Sequence, residues 1–396
     1  MNTDLPLDFD AARRRATERR AAGVAVDFDP SRLALARRLA AYPRAKLARE
    51  LDITPAAVGQ FEKGQTKPTL PVLTGLADAL GVPVDFFRAG HPVTSLPASA
   101  AHFRSLRATT AMEREQALAF GELVLSVFSA TELSVDLPPI TLPDLTLPDL
   151  TLQGEVGEEI VAEAARETRR AMGISSGPIP HVIRLLESHG VAVARLENAS
   201  HRVDAFSHQQ AVAPHRGSML PPRPLVLLNP GKEDKARGRF NGAHELGHLV
   251  MHHDTEPGSR LAEAQAHAFA AEFLAPAEEI RADLPTRLDW VRFQDLKHRW
   301  GLSLKALVMR AHKLGRLTDH SYRRGTQQLS VWGFPEPGPL GEPEQPVLLP
   351  RAIALLGGEP ALQQIANDAG LPLSEVRRVW AAAGGVDERP QVTLFP

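Results

Sequence analysis

The chain has 396 residues, 43% of them hydrophobic and 23% charged, with a formal net charge of −2 and no cysteine. That length exceeds what one core usually organises, so two or three domains are expected. The near-zero charge excludes a chain-wide attraction to nucleic acid or anionic lipid, and the missing cysteines exclude disulfides, thiolate metal sites and cysteine nucleophiles.

Residues 1–30 form an N-terminal arm whose run AARRRATERR reads as a solvated helical face. The opening MNTDLPLDFD lacks the basic-then-apolar layout of a secretory signal. No apolar run approaches the ~18 residues that span a bilayer. No membrane partner and a cytoplasmic location are therefore expected.

From 31 to 90 the chain is a series of short helices, with stops at Pro43, the turn DIT, Gly64 and Gly81. None is long enough to stand alone, so their apolar faces must pack into one all-α bundle. Residues 91–155 are a helical connector and a proline-rich linker. HFRSLRATT reads as a basic helix cap before a long helix, and TLPDL then occurs twice in tandem in an extended stretch. Residues 156–325 begin with two amphipathic helices. The short β-type runs VAVARL, DAFSHQQAVA and RPLVLLN follow, and then a run of helices, which together predict an α+β domain. Residues 326–396 open with the loop VWGFPEPGPLGEPEQP and end in a helical pair, a small mainly helical region.

The chemistry concentrates in AHELGHLVMHHD, residues 243–254. His244 and His248 are one helical turn apart and aim at one metal ion, while Glu245 sits about 100° round the helix. This is the H-E-x-x-H arrangement: two zinc ligands with a carboxylate as general base. A third ligand is still needed. Asp254 has the spacing of a layout that requires a glycine where this chain has Met251. His252 lies two turns on, roughly 12 Å along the axis, and with His253 it reads as a helix C-terminal residue favoured by the dipole. The next helix, SRLAEAQAHAFAAEFLAP, offers Glu263 and Glu272. The strand PLVLLN before the motif is a candidate for pairing with an extended substrate by strand addition.

RFNGAHELGHLVMHH followed by EAQAHAFAAEFLAP resembles the ImmA/IrrE family of zinc metallopeptidases, with supporting matches over roughly residues 155–325. The resemblance implies a zincin-like fold, a gluzincin-like site and Zn2+. It implies Glu263 as the third ligand, with Glu272 as the alternative. It also implies a protein substrate, a repressor whose cleavage releases a stress, phage or mobile-element response.

The second motif is RAKLARELDITPAAVGQFEKGQTKPTL, with the proportions of a helix-turn-helix. Ala48 permits a close helix crossing, Thr54 caps the second helix with Pro55 at its first position, and Val58 and Phe61 face inward. That leaves Thr54, Pro55, Ala56, Gln60 and Lys63 as the candidate contacts to double-stranded operator DNA, with glutamine suited to adenine and lysine to phosphate. Residues 31–88 hold nine Lys/Arg against five Asp/Glu, a local net of +4 in a slightly acidic chain. The stretch resembles the Cro/repressor-like (XRE) DNA-binding domain, and a homodimer is among the assemblies such a module allows. The expected protein is a DNA-binding regulator with a zinc endopeptidase domain. The competing expectation is a transcription factor whose metal domain senses or scaffolds without cutting.

Overall fold

The computed structural model describes residues 23–88, 96, 101–103, 110–146, 154–196, 205–208, 223–229, 234–253 and 259–386. Most of the N-terminal arm, all but the first residue of the second TLPDL copy, and Asp254 lie outside the described residues.

The N-terminal bundle comprises α1 (Pro30–Leu39), α2 (Arg44–Glu50), α3 (Pro55–Glu62) and α4 (Leu70–Leu80), closed by a 3-10 turn at Val84–Phe87. The anticipated stops hold: α4 ends at Gly81 with φ +67°, a left-handed conformation that glycine adopts at no steric cost. Strand β1 (Ala101–Phe103) and the long helix α5 (Ala111–Glu132) follow, the latter opened by a Thr110–Glu113 capping box. Next come α6 (Gly154–Ala171), α7 (Val182–Ser188), β2 (Ala192–Arg195), β3 (Ala205–His208) and β4 (Leu225–Leu228). The motif helix α8 (Lys235–Met251), α9 (Arg260–Leu274), α10 (Ala277–Ile280), α11 (Trp290–Trp300), α12 (Leu304–Lys313) and α13 (Asp319–Trp332) complete the α+β part. At the C-terminus stand α14 (Leu348–Leu355), α15 (Glu359–Ala369) and α16 (Leu373–Ala382), a trio where the sequence showed a pair.

The four strands form one sheet in the order β1-β3-β4-β2, antiparallel except for the parallel pair β2–β4. Both faces of β2 and β4 are covered, which is why these two strands are apolar at every position but Arg195. Alternate residues divide between two cores. Ala192, Ala194, Phe206, Leu225 and Leu227 pack with the N-terminal bundle, α5 and the C-terminal helices. Val193, Ala205, Val226 and Leu228 pack with α6–α9 and α11–α13. Helix α5 lies so close to the sheet that a Cβ on Gly121 would sit 2.8 Å from Leu225.

This topology corrects one expectation. Leu225–Leu228, the core of PLVLLN, is bonded on both sides, by β3 and by β2. With no free edge it cannot receive a substrate strand.

Two irregular segments are fastened down. The first TLPDL copy is extended as expected, but it docks on the motif helix, where Leu145 N donates to Val250 O (2.9 Å) and Leu142 and Leu145 join the second core. The segment 333–347 is held through its acids. Glu344 accepts from Arg239 Nη1 (2.5 Å) and Ile183 N (3.1 Å), and Glu336 accepts from Leu304 N (2.7 Å) and Lys305 N (3.1 Å). Glu187 on α7 answers by accepting from Val347 N and Leu348 N at the start of α14. The N-terminal bundle is tied in likewise, with Arg38 bidentate on buried Glu122 of α5 and Arg32 donating to Ala369 O and Gly370 O.

Candidate metal centre

Helix α8 begins at Asp234, whose carboxylate accepts from Arg237 N, and almost every side chain from Gly238 onward is buried. Helix α9 crosses it closely because position 247 is glycine: a Cβ there would lie 3.0 Å from the Phe269 ring. That approach lets Glu263, in the first turn of α9, reach the two histidines. His244 Nε2 and His248 Nε2 stand 3.2 Å apart, and Glu263 offers one carboxylate oxygen to each at 3.4 Å. An ion with tetrahedral bonds of about 2.0–2.1 Å separates its ligands by about 3.3 Å, so the donor set fits zinc and leaves one corner open. Burial on its own would raise the Glu263 carboxyl. The hydrogen bonds and charge of His244 and His248 outweigh it and hold the group well below the usual carboxylate range.

A buried chain of contacts runs behind His248. His252 Nε2 lies 3.0 Å from Gln265 Oε1, an acceptor, so Nε2 carries the hydrogen. Burial first, and the neighbouring His248 second, push the His252 imidazole down to about 4, which keeps it neutral. Its Nδ1 lies 3.0 Å from His248 Nδ1 and can accept from it, which would free the His248 Nε2 lone pair for an ion in place of the contact with Glu263. Such outer partners orient metal ligands.

The other candidates are placed elsewhere. Glu272 is bonded to Arg310, lies 3.6 Å from Arg166, and accepts from Ala277 N, so it caps α10. His253 pairs with Asp144 and Thr146 of the linker. His252 is a helix C-cap, as read from the sequence, but its buried ring serves His248. Glu245 is buried beside the sheet, and Ser207 Oγ of β3 donates to its Oε2 over 2.7 Å. Among the described residues, His244, His248 and Glu263 are the cluster that could hold a metal ion.

At the other end of the chain, Thr54 Oγ1 accepts from Ala57 N, Pro55 opens α3, and Ala48, Val58 and Phe61 are buried. Thr54, Pro55, Ala56, Gln60 and Lys63 are all exposed on one side of this pair of helices.

Two family models match these regions: a helix-turn-helix over residues 33–87, and the IrrE N-terminal-like domain of peptidase family M78 over residues 186–312. The chain joins a DNA-binding helix-turn-helix to an M78 peptidase-like domain. No curated protein matches the chain.

Within the M78 domain the sequence missed Ser207 and the His252–Gln265 relay. DAFS contains Ser207, but only the pairing of β3 beside α8 brings it to Glu245. The i, i+4 spacing of His248 and His252 was the available signal for the relay. Among the described residues no helix is long and apolar enough to cross a membrane.

Proposed function

We propose that this protein is a transcriptional regulator whose M78 domain is a zinc endopeptidase acting on a repressor-type protein. The observation that carries the reading is the convergence of His244, His248 and Glu263 in zinc-like spacing, beside a buried Glu245 held by Ser207. His244, His248 and Glu263 hold the ion, which when bound supplies Lewis-acid polarisation of a carbonyl and lowers the pKa of water. Glu245 takes the proton of the attacking water and returns it to the leaving nitrogen. Ser207 fixes the Glu245 carboxylate by holding one oxygen, and the His252–Gln265 pair would take the His248 Nδ1 hydrogen when Nε2 holds the ion.

The exposed residues Thr54, Pro55, Ala56, Gln60 and Lys63 form the operator-reading surface, and a homodimer would present two such surfaces to a two-fold site. Cleavage of a repressor encoded nearby would then release a stress, phage or mobile-element response from the cytoplasm.

The test is co-expression with the repressors encoded beside this gene, together with metal analysis. About one zinc per chain is expected, lost in the His244→Ala/His248→Ala double variant. A repressor should disappear with the active protein and persist with Glu245→Gln, which keeps its zinc. Zinc retention with no protein lost in either case would favour the sensing or scaffolding alternative, and unchanged zinc in the double variant would sink the site.

A further inference from the structure

On α8 and its C-cap the residues Phe240, His244, His248 and His252 recur every four positions along one stripe. On α9, Glu263 and His267 are likewise four apart. Glu263 meets the middle of the stripe, at His244 and His248. His267 meets its upper part, with its ring 5.0 Å from Phe240 and 5.2 Å from His244 between centroids, edge to face with both.

His267 differs from the other histidines of the stripe in one respect. His244, His248 and His252 are buried, whereas His267 is exposed. It therefore has one side against the ligand His244 and another open to solvent. Phe240 and His244 both lie against its ring. An imidazole carries at least one N–H in every protonation state. When a peptide carbonyl is attacked, negative charge gathers on its oxygen, and a preplaced N–H donor stabilises that charge more than it stabilises the ground state.

We propose that His267 is a catalytic residue of this site, donating an imidazole N–H to the carbonyl oxygen as it becomes an oxyanion. The inference rests on the metallopeptidase reading above, and it assigns to the open side of the site a donor that His244, Glu245, His248 and Glu263 do not supply. Two other roles are separable: a fourth metal ligand, or packing for Phe240 alone.

The experiment uses the full-length protein loaded with cobalt(II), with inorganic phosphate as the tetrahedral anion, titrated through the visible bands of the ion. His267→Ala should weaken phosphate binding about 10–100-fold, the loss expected for one hydrogen bond to a charged oxygen. His267→Gln keeps an N–H and should stay within about threefold of the unmodified protein. Cobalt affinity, from competition with a chromophoric chelator, should be the same in all three. Equal phosphate affinity in all three proteins, or no phosphate binding by any, overturns the donor role. A tenfold or larger loss of cobalt affinity in His267→Ala overturns it in favour of a fourth ligand. Failure of the unmodified protein to bind cobalt overturns the metal-site reading itself, an outcome distinct from the other two.

Discussion

Two segments of this chain share one local plan and use it differently. In the first, α2 leads through Asp52 (φ 52°) and Ile53 to the capping residue Thr54 and then α3. In the second, α11 leads through Gly301 (φ 66°) and Leu302 to Ser303 and then α12. Counting from buried Leu47 and buried Leu296, the left-handed residue, the cap and a buried position four beyond the cap (Val58, Leu307) fall at identical offsets. Both caps accept from the N–H three residues on, at 3.1 Å. By charge the second segment looks the better anion reader, with six Lys/Arg against one acid in 290–313 and four against three in 44–63. Four of those six are paired internally. Arg292 and Arg299 hold Asp283, Lys297 holds Glu336, and Arg310 holds Glu272. The Glu336 carboxylate also closes the start of α12, where an anion would otherwise bind. The first segment leaves the corresponding face, at Thr54, Pro55, Ala56 and Gln60, exposed. The local plan sets the backbone, and distant parts of the chain decide whether it reads anything.

The largest effect should come from the residue before each turn. Trp300 is 1% exposed in the second core, whereas Leu51 is only half-buried. Trp300→Ala should cost about 3–5 kcal/mol in urea unfolding, and Leu51→Ala distinctly less. Equal losses would mean that the two turns are packed alike.

A second test uses the other acid that closes a distant helix start. Burial pushes the Glu187 carboxyl up to about 7, against the pull of the Leu348 and Val347 N–H groups. Folded protein thus keeps a proton that unfolded chain releases near 4.5. Stability should fall as pH rises from about 4.5 to about 7, by on the order of 3 kcal/mol, and level off above. Glu187→Gln should flatten that slope in unfolding experiments at pH 5 and 8; an unaltered slope would remove Glu187 as its source.

The turns themselves provide a third. A Cβ on Gly301 would stand 2.6 Å from Arg239 Nε, so Gly301→Ala must displace a buried arginine bonded to Glu344. A loss of about 2–3 kcal/mol is expected, while Asp52→Gly, in the open turn, should stay within about 0.5 kcal/mol of neutral by thermal melting.

Much of this was legible along the chain. The helix stops at Gly64 and Gly81, the buried Val58 and Phe61, and the His244–His248 pair all follow from spacing over a few residues. The third carboxylate narrowed only to Glu263 or Glu272, because choosing between them depends on where Arg310 and Arg166 lie. Ser207 was hidden for the same reason, since its meeting with Glu245 requires β3 to lie over α8. The edge-strand role expected of PLVLLN failed because strand order is a non-local property: one apolar run reads alike at an edge or between two neighbours. The acids of 333–347 looked like loop composition, and only their burial against Arg239 and α12 shows what they hold.

The smallest effect on stability, and the sharpest on function, should come from the exposed helix start itself. Gln60 and Lys63 are solvent-facing, so replacing both by alanine should shift unfolding by no more than about 0.5 kcal/mol. Binding to the protein's own promoter should nevertheless weaken about tenfold or more, since a glutamine contact to a base is worth about 1–3 kcal/mol. Lys63 contributes through phosphate, so its loss should also lower the slope of log affinity against log salt by about one. Lys305 is the matched control: it is exposed in the first turn of α12, but beside Glu336, where its backbone N–H is already bonded. Lys305→Ala should leave both affinity and salt slope unchanged. If Lys305→Ala weakened binding as much as the Gln60/Lys63 change, the strap carrying Glu336 would have to leave α12 on DNA, and both segments would be readers.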